Sequence, residues 1–320
     1  MICGKLVRAW QPTMSKPSTI QSALVLAPYT TMKVGGPAEF ACLPKTDEEF
    51  VAAWEWARAE GLPVTMLGAG SNSLVNDAGI QGLVIIPRND QLLFAPPRVT
   101  VGAGVKNGQL IGAAANHGLG GLSWLLGVPG TVGGSLYGNA GSKEYGLGDY
   151  VVTVDVIERD GRQHTMTKDE CQFSYRHSIF KETKAAIISV ELQLPVVEAK
   201  AERALLADMA KQKNTNQPTT AATAGCMFKN PVVETKKLPA DLQQYVLLNG
   251  TISAWRLIDH LGLKGKQIGQ VQVSPKHGNF MINLGGGTAD HVVQLTSYVK
   301  QQVRDKLGVQ LQEEVQYLGY

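Results

Sequence analysis

Gly68-Ala69-Gly70-Ser71-Asn72-Ser73 follows a short β-like run, Val64–Leu67, and the chain turns again almost at once at Asn76-Asp77-Ala78-Gly79. No other stretch limits the fold as much. A dinucleotide loop of the doubly wound α/β type opens a helix of about ten residues or more. Asp90 stands about 20 residues on, as that pattern asks, but Leu83–Ile86 reads as another strand and leaves no room for the helix. The loop is then either a structural turn or a nest of backbone amides for an anion. A second stretch, Gly127-Val128-Pro129-Gly130-Thr131-Val132-Gly133-Gly134, lies about 60 residues downstream, with Ser135 and Asn139 nearby. Residues without side chains let backbone N–H groups approach a phosphate. One such loop is often only a turn; two can grip a dinucleotide from both sides.

The 320 residues permit two or three domains with their own cores. A net charge of +3 gives no argument for nucleic acid or an anionic membrane surface. Cys3, Cys42, Cys171 and Cys226 are scattered without a CxxC, so neither a zinc ribbon nor a disulfide framework is indicated, and a reducing compartment is expected. No run of about 18 apolar residues marks a membrane span. Residues 1–22 lack the apolar stretch of a signal peptide and read as a disordered leader, with Met14 as an alternative start.

Periodicity places the elements. Thr46-Asp47-Glu48-Glu49 is a capping box, and Phe50, Trp54 and Ala57 recur at helical spacing until Gly61. Arg98–Val101 reads as a strand, and Asn107 is placed to cap a helix through Asn116. Val151–Glu158 and Gln163–Thr167 flank Asp160-Gly161, a hairpin signal. Ile187–Leu194 alternates and ends at Pro195, as an edge strand or linker does. Residues 198–212 read as helix and 213–225 as a loop. Ser253–His260 is a short helix closed by Gly262. Thr288 caps a long helix through Leu307, with the stripe Val292, Thr296, Val299 and Val303, and Val309–Leu318 is a final strand. The mixed order predicts an α+β protein of more than one domain.

Several strings in fixed order carry a family resemblance. They are Thr31-Met32-Lys33-Val34-Gly35-Gly36-Pro37, the Leu67–Leu74 loop, Gly127–Gly141, and Phe173-Ser174-Tyr175-Arg176-His177-Ser178-Ile179-Phe180-Lys181. Gly225-Cys226-Met227-Phe228-Lys229-Asn230-Pro231, Leu263-Lys264-Gly265-Lys266-Gln267-Ile268-Gly269 and Glu314-Val315 follow. Over residues 24–319 the chain resembles the UDP-N-acetylenolpyruvoylglucosamine reductase family, in its short-loop form. The resemblance implies a bipartite FAD-binding fold of the vanillyl-alcohol-oxidase type plus a C-terminal substrate-binding α/β domain. It puts one FAD-binding subdomain at 23–86, joined by a C-terminal strand at 314–320, the second at 87–213, and the substrate domain at 214–313. It implies an NADPH-dependent flavoenzyme that reduces the enolpyruvyl ether of UDP-N-acetylglucosamine-enolpyruvate to UDP-N-acetylmuramate for peptidoglycan. A cytoplasmic monomer with non-covalent FAD, and without metal, nucleic-acid or membrane partners, is the expectation. The alternative is another FAD oxidoreductase of the same fold, acting on an alcohol or lactone. Those often tether FAD through a histidine near a glycine loop, and none stands at Gly68–Leu74; His117 falls on the expected helix.

By resemblance, the FAD pyrophosphate lies on Gly68, Ala69, Gly70, Ser71, Asn72 and Ser73 and on Pro129, Thr131, Val132, Gly133 and Gly134, with Asn139 and Gly141 adjacent. Hydride from flavin N5 reaches the enolpyruvyl methylene, and carbanion character develops next to the carboxylate. That charge needs stabilisation and a proton. Arg176 and Glu314 are expected to flank the carboxylate. Glu314 then hydrogen-bonds the enolic oxygen, best when protonated. Many members deliver the proton from a serine; Cys226 stands there in this chain. A free thiol, with a pKa of about 8.5, is mostly protonated near neutrality, and a nearby arginine would lower that value. Tyr175, Lys229, Asn230 and His277 are expected to meet the substrate. Thr30 replaces the usual Asn before Thr31 and is expected to loosen a turn near the flavin. No insertion separates Phe180 from Ala186, so the tyrosine-bearing loop of some members is missing. Residues 142–146 lengthen a turn and leave the role of Tyr145 open.

Overall fold

The computed structural model describes residues 15–141, 145–216 and 221–320. Strands β1 (Ile20–Val25) and β2 (Pro37–Cys42) pair antiparallel, with Ser22 facing Phe40. Residues 20–22 therefore belong to a sheet rather than to the leader expected over 1–22. Residues 1–14, and with them the choice between Met1 and Met14, lie outside the described residues. Helix α1 (Asp47–Ala59) starts at Thr46, whose side chain accepts from Glu49 N at 3.3 Å, while Glu49 reaches back to Lys45 N at 2.7 Å. The chain returns as β3 (Val64–Met66), passes the first glycine loop and continues directly into β4 (Ser73–Val75) and β5 (Ile80–Ile85), with no helix between. The sheet runs β1-β2-β5-β3, with β5 parallel to both neighbours.

The second sheet is antiparallel throughout: β6 (Leu92–Ala95), β7 (Arg98–Gly102), β8 (Val151–Ile157), β9 (Gln163–Thr167) and β10 (Ala186–Gln193), in the order β6-β7-β10-β8-β9. The β8–β9 hairpin closes with Ile157 facing Gln163. The edge position expected for β10 is wrong, because the strand is central. Its alternation separates two cores instead of core from solvent. Ile187, Val190 and Leu192 face α2 (Asn107–Asn116) and α3 (Val132–Tyr137) through Leu110, Ile111, Val132 and Leu136. Ala186 and Ile188 face Phe50, Trp54 and Leu83 of the α1 layer. One short helix, α4 (Phe180–Thr183), leads into β10 without an insertion, and α5 (Ala199–Asn216) runs into the start of the expected 213–225 loop.

The last third holds α6 (Ala240–Gln243), α7 (Ala254–His260), an antiparallel sheet of β11 (Gln267–Ile268), β12 (Val271–Val273) and β13 (Met281–Asn283), and the long α8 (Ala289–Leu307). Thr288 and His291 cap α8 reciprocally, and Gly308 ends it at φ +66. The stripe Val292, Thr296, Val299 and Val303 is buried with Val271, Val273 and Met281, and Thr296 satisfies its hydroxyl on Val292 O at 2.7 Å. The same core takes in Met32 and Val34, from the segment before β2, and Leu74 of β4, which ties this part to the N-terminal part of the chain. The expected final strand shortens to β14 (Gln316–Leu318), parallel to β4, because Val309, Leu311 and Val315 turn into the core first. Among the described residues no helix is long and apolar enough to cross a membrane.

Candidate active site

The first glycine loop offers the clearest anion cradle. Among the described residues, the successive backbone amides of Gly68, Ala69, Gly70, Ser71 and Asn72 have no hydrogen-bond acceptor. Such a row of N–H groups concentrates positive potential. Gly70 adopts φ +62, and a Cβ there would come within 2.6 Å of Tyr29 O, so only glycine fits. Thr31 anchors the loop, its hydroxyl at 3.2 Å from Gly70 O and 2.6 Å from Thr223 O. The loosening expected at Thr30 is not found. Its buried hydroxyl reaches Ala27 O at 3.1 Å and Val34 O at 3.0 Å, so the turn is tied by a shorter side chain.

The second loop faces the first. A Cβ on Gly68 would lie 2.9 Å from Thr131 Oγ1, and one on Gly130 would lie 3.4 Å from Ser71 Oγ. Glycine at both places keeps the gap between the loops open. The amides expected to meet a pyrophosphate are, however, largely spent. Val132 N donates to Val105 O, Gly133 N to Ala103 O and Gly134 N to the capping hydroxyl of Thr131. These bonds seat the short α3. Gly133 is a packing glycine, since a Cβ there would stand 2.8 Å from Ala103 Cβ. Asn107 is the first helical residue of α2, not its cap. Its buried side chain donates to Val128 O at 3.1 Å and accepts from Ser135 Oγ at 3.0 Å, bracing the loop. Pro129 lies exposed on the loop. Gly141 lines a cleft of about 170 Å³ with Trp124, Val128, Ala140, Tyr145 and Arg176, and so connects this loop to the arginine.

Arg176 sits in a tight turn closed by bonds between Ser174 and His177 in both directions, at 3.1 and 3.0 Å. Its φ is +55, an uncommon conformation for a residue with a Cβ. Asn139 links the turn to the second glycine loop: its amide donates to Ser174 O at 2.9 Å and its carbonyl accepts from Gly148 N at 2.9 Å. That side chain is engaged within the protein, and the Asn139 main-chain N–H donates to Leu136 O at 3.0 Å, so Asn139 braces the turn rather than offering a free amide. The Arg176 Nε stands 2.8 Å from Glu314 Oε1. The N–H does not point along that line, so the contact is an ion pair, and the buried Nε donor keeps no aligned acceptor among the described residues.

Cys226 and Glu314 arrive together by backbone pairing. Residues 226–229 lie between two extended segments: Met227 N donates to Asn279 O, Glu314 N to Met227 O and Lys229 N to Gln312 O, at 2.8, 2.8 and 2.9 Å. The buried amide of Asn279 clamps both backbone groups of Phe228. Gly225, at φ +81, brings this segment against the first loop, where its Cβ position lies 3.8 Å from Ser71 O. Asn72 Nδ2 donates to Glu314 O at 3.2 Å, which ties that loop to the glutamate. The neighbouring acid is engaged elsewhere, because Glu313 pairs both oxygens with Lys300 of α8. Burial pushes the Glu314 carboxyl above its ordinary range, against the pull of Arg176, Lys181 and Lys229. The protonated thiol expected at Cys226 is found, and the arginine is nearby, but it does not bring the pKa down. Burial, then the Glu314 charge, push it up to about 12, and Arg176 and Asn279 offset only part.

The remaining assignments divide. Tyr175 is half-exposed beside the Arg176 guanidinium, 5.6 Å from its ring. Lys229 is part-buried and faces Glu314 and Lys181. The Asn230 carbonyl accepts from Ala254 N at 3.0 Å and so starts α7, which leaves its NH₂ to a ligand. His277 packs between Trp255 and Phe280, with Nδ1 on Asn279 N, and none of these contacts involves Arg176, Cys226 or Glu314. Tyr145 stacks at a tilt on Trp124, 5.3 Å away. Lys181 escaped the sequence reading, although it ends the Phe173–Lys181 string. A larger cleft, about 310 Å³, lies elsewhere among Asp47, Asp155, His164 and Ser189 and shares no residue with this cluster.

Residues 217–318 match the family model for the UDP-N-acetylenolpyruvoylglucosamine reductase C-terminal domain, and residues 38–167 match an FAD-binding domain. The UDP-N-acetylenolpyruvoylglucosamine reductase of Synechococcus elongatus is 37% identical over 305 residues, 94% of this chain and 95% of its own length. That of Moorella thermoacetica is 36% identical, over 92% of this chain and 91% of its own. The crystal structure of the Thermus caldophilus UDP-N-acetylenolpyruvylglucosamine reductase aligns with a TM-score of 0.74 at 33% identity, covering 93% of this chain and 98% of the other.

Proposed function

Because the chain belongs to the UDP-N-acetylenolpyruvoylglucosamine reductase family, we propose that this site converts UDP-N-acetylglucosamine-enolpyruvate to UDP-N-acetylmuramate with NADPH, in the cytoplasm, as a monomer. The observation that carries the reading is Arg176: it lines the cleft beside the second glycine loop while its Nε stands 2.8 Å from Glu314, so a cation and a carboxyl meet where a substrate carboxylate would enter. When bound, FAD would take reducing equivalents from NADPH and pass them to the enolpyruvyl methylene carbon. The amides of Gly68–Asn72 would hold its pyrophosphate, and Gly130 would leave it room. From the first sheet to residue 86, with 314–320, and over 87–213, the chain forms the two cofactor halves, and 214–313 covers the substrate.

In this reading Arg176 grips the carboxylate and takes up the charge that develops beside it. Glu314, in its acid form, donates to the enolic oxygen. Cys226 passes its Sγ proton to the carbon next to the carboxylate, completing addition of hydride and proton across the double bond. Tyr175, Lys229, the NH₂ of Asn230 and His277 remain for the nucleotide end of the substrate.

The purified holoprotein should be yellow. NADPH should bleach it, and the enolpyruvyl nucleotide should restore the colour faster than oxygen does. Acid precipitation should release the colour, since no tethering histidine adjoins the first loop and His117 stacks on Phe94 at 3.9 Å. Restoration by an alcohol- or lactone-derived acceptor, but not by the nucleotide, would overturn the reading in favour of the alternative.

Glu314 sets a pH dependence. Its raised pKa keeps the acid form present above the ordinary carboxylate range. Oxidation of the reduced enzyme by the nucleotide should be fastest below that pKa and decline as pH rises through it. Glu314→Gln keeps a neutral donor and should lose this alkaline limb in stopped-flow pH profiles. An unchanged limb in the variant would assign it to another group.

A further inference from the structure

We propose that Lys181 is a positioning residue for the reductive step: its ammonium group holds the main chain of Arg176 in the left-handed conformation that places the guanidinium beside Glu314. This rests on the reading of the site given above. Lys181 Nζ donates to Arg176 O at 2.7 Å, on the residue whose φ is +55. A residue with a Cβ stays in that region only where its surroundings over-determine it. The Ser174–His177 bonds and Asn139 hold the near side of the turn, and Lys181 holds the carbonyl of Arg176 itself.

The base of the lysine is rigid. Ser178 is fully buried and donates to Tyr137 O at 2.8 Å, and Phe180 is fully buried in the second core. The stem therefore leaves α4 from a fixed point. The ammonium lies 6.0 Å from the Tyr137 ring centroid, among other cations. Arg176, Lys184 and Lys229 all face it, and only Glu314 opposes their repulsion. A side chain needed only to fill space would sit there more favourably without a charge. The charge serves two ends: it fixes the Arg176 carbonyl and adds a positive field at Glu314. The groups facing Glu314 are Arg176, Lys181 and Lys229, with the Cys226 thiol and the Tyr175 phenol beside them.

Lys181→Met keeps the aliphatic stem and removes the donor; Lys181→Arg restores one. In the Lys181→Met holoenzyme, FAD occupancy and reduction by NADPH should match the wild type. Oxidation by the enolpyruvyl nucleotide should slow by roughly 10- to 100-fold, the scale on which a shift of about 1 Å acts. Its alkaline limb should move to higher pH, because Glu314 loses one cation and is misaligned with another. Lys181→Arg should recover both rate and limb. A wild-type oxidation rate in Lys181→Met would overturn the proposal. So would an unmoved limb, or parallel loss of FAD occupancy and of both half-reactions, which marks a residue of the fold. A wild-type enzyme that the nucleotide fails to oxidise would instead sink the functional reading on which the proposal rests.

Discussion

Cys226→Ala should slow oxidation of the reduced enzyme by the enolpyruvyl nucleotide by roughly 10²–10⁴-fold, the scale of a lost general acid. Reduction of the flavin by NADPH should be nearly unchanged, because no proton from Cys226 is needed there. With its pKa near 12, the thiol carries its proton throughout the physiological range. It is therefore always loaded, and as a donor it is weaker than an ordinary thiol but still stronger than a serine hydroxyl. Cys226→Ser should accordingly keep substantial activity. The same high pKa makes the thiolate scarce, so alkylation should be slow near neutrality, should accelerate as pH rises, and should be hindered by bound substrate. Stopped-flow measurement of the two half-reactions separates these outcomes. An unchanged oxidative half-reaction in Cys226→Ala would leave Cys226 as a packing residue.

Arg176→Lys should lower the same half-reaction by roughly 10²–10³-fold, the cost of removing a donor aimed at developing charge. Lysine keeps the cation and loses the planar fork that meets a carboxylate with two parallel N–H groups. Its point charge does not reproduce the buried Nε donor that stands beside Glu314. FAD binding should survive, since the unpaired amides proposed to hold the cofactor lie on a different loop, Gly68–Asn72. Titration of the apoprotein with FAD provides the comparison. Loss of FAD affinity in step with the loss of turnover would place Arg176 in the service of the cofactor or the fold.

Several features of the fold are legible in the sequence alone. Thr46 and Thr288 announce their helices because a cap acts through atoms three residues away. The absence of a helix after Gly68–Ser73 follows from a turn and a strand in the next dozen residues, and so excludes a doubly wound arrangement. The stripe of α8 follows from helical periodicity alone. Where the reading failed, the missing information was non-local. The alternation of β10 looked like an edge because sequence does not say that the second face meets α1. The pull of a nearby arginine on the Cys226 pKa is foreseeable, but burial and Glu314 outweigh it, and neither is visible in a string.

The sequence by itself determined the local grammar: caps, turn glycines, the hairpin at Asp160-Gly161, and the residue types that meet a carboxylate and a carbanion. Those are set by interactions within one turn of chain. Tertiary structure decided which of the glycine amides remain unpaired, at Gly68–Asn72 rather than Val132–Gly134, because an amide is free only after every nearby acceptor has been placed. It also decided that Arg176, from a turn after the second sheet's hairpin, meets Glu314, from the approach to β14, with Lys181 beneath them. Their contact depends on the pairing of residues 226–229 with 279 and 312–314 and on Asn139 tying the turn to the second loop, bonds between segments far apart in the chain.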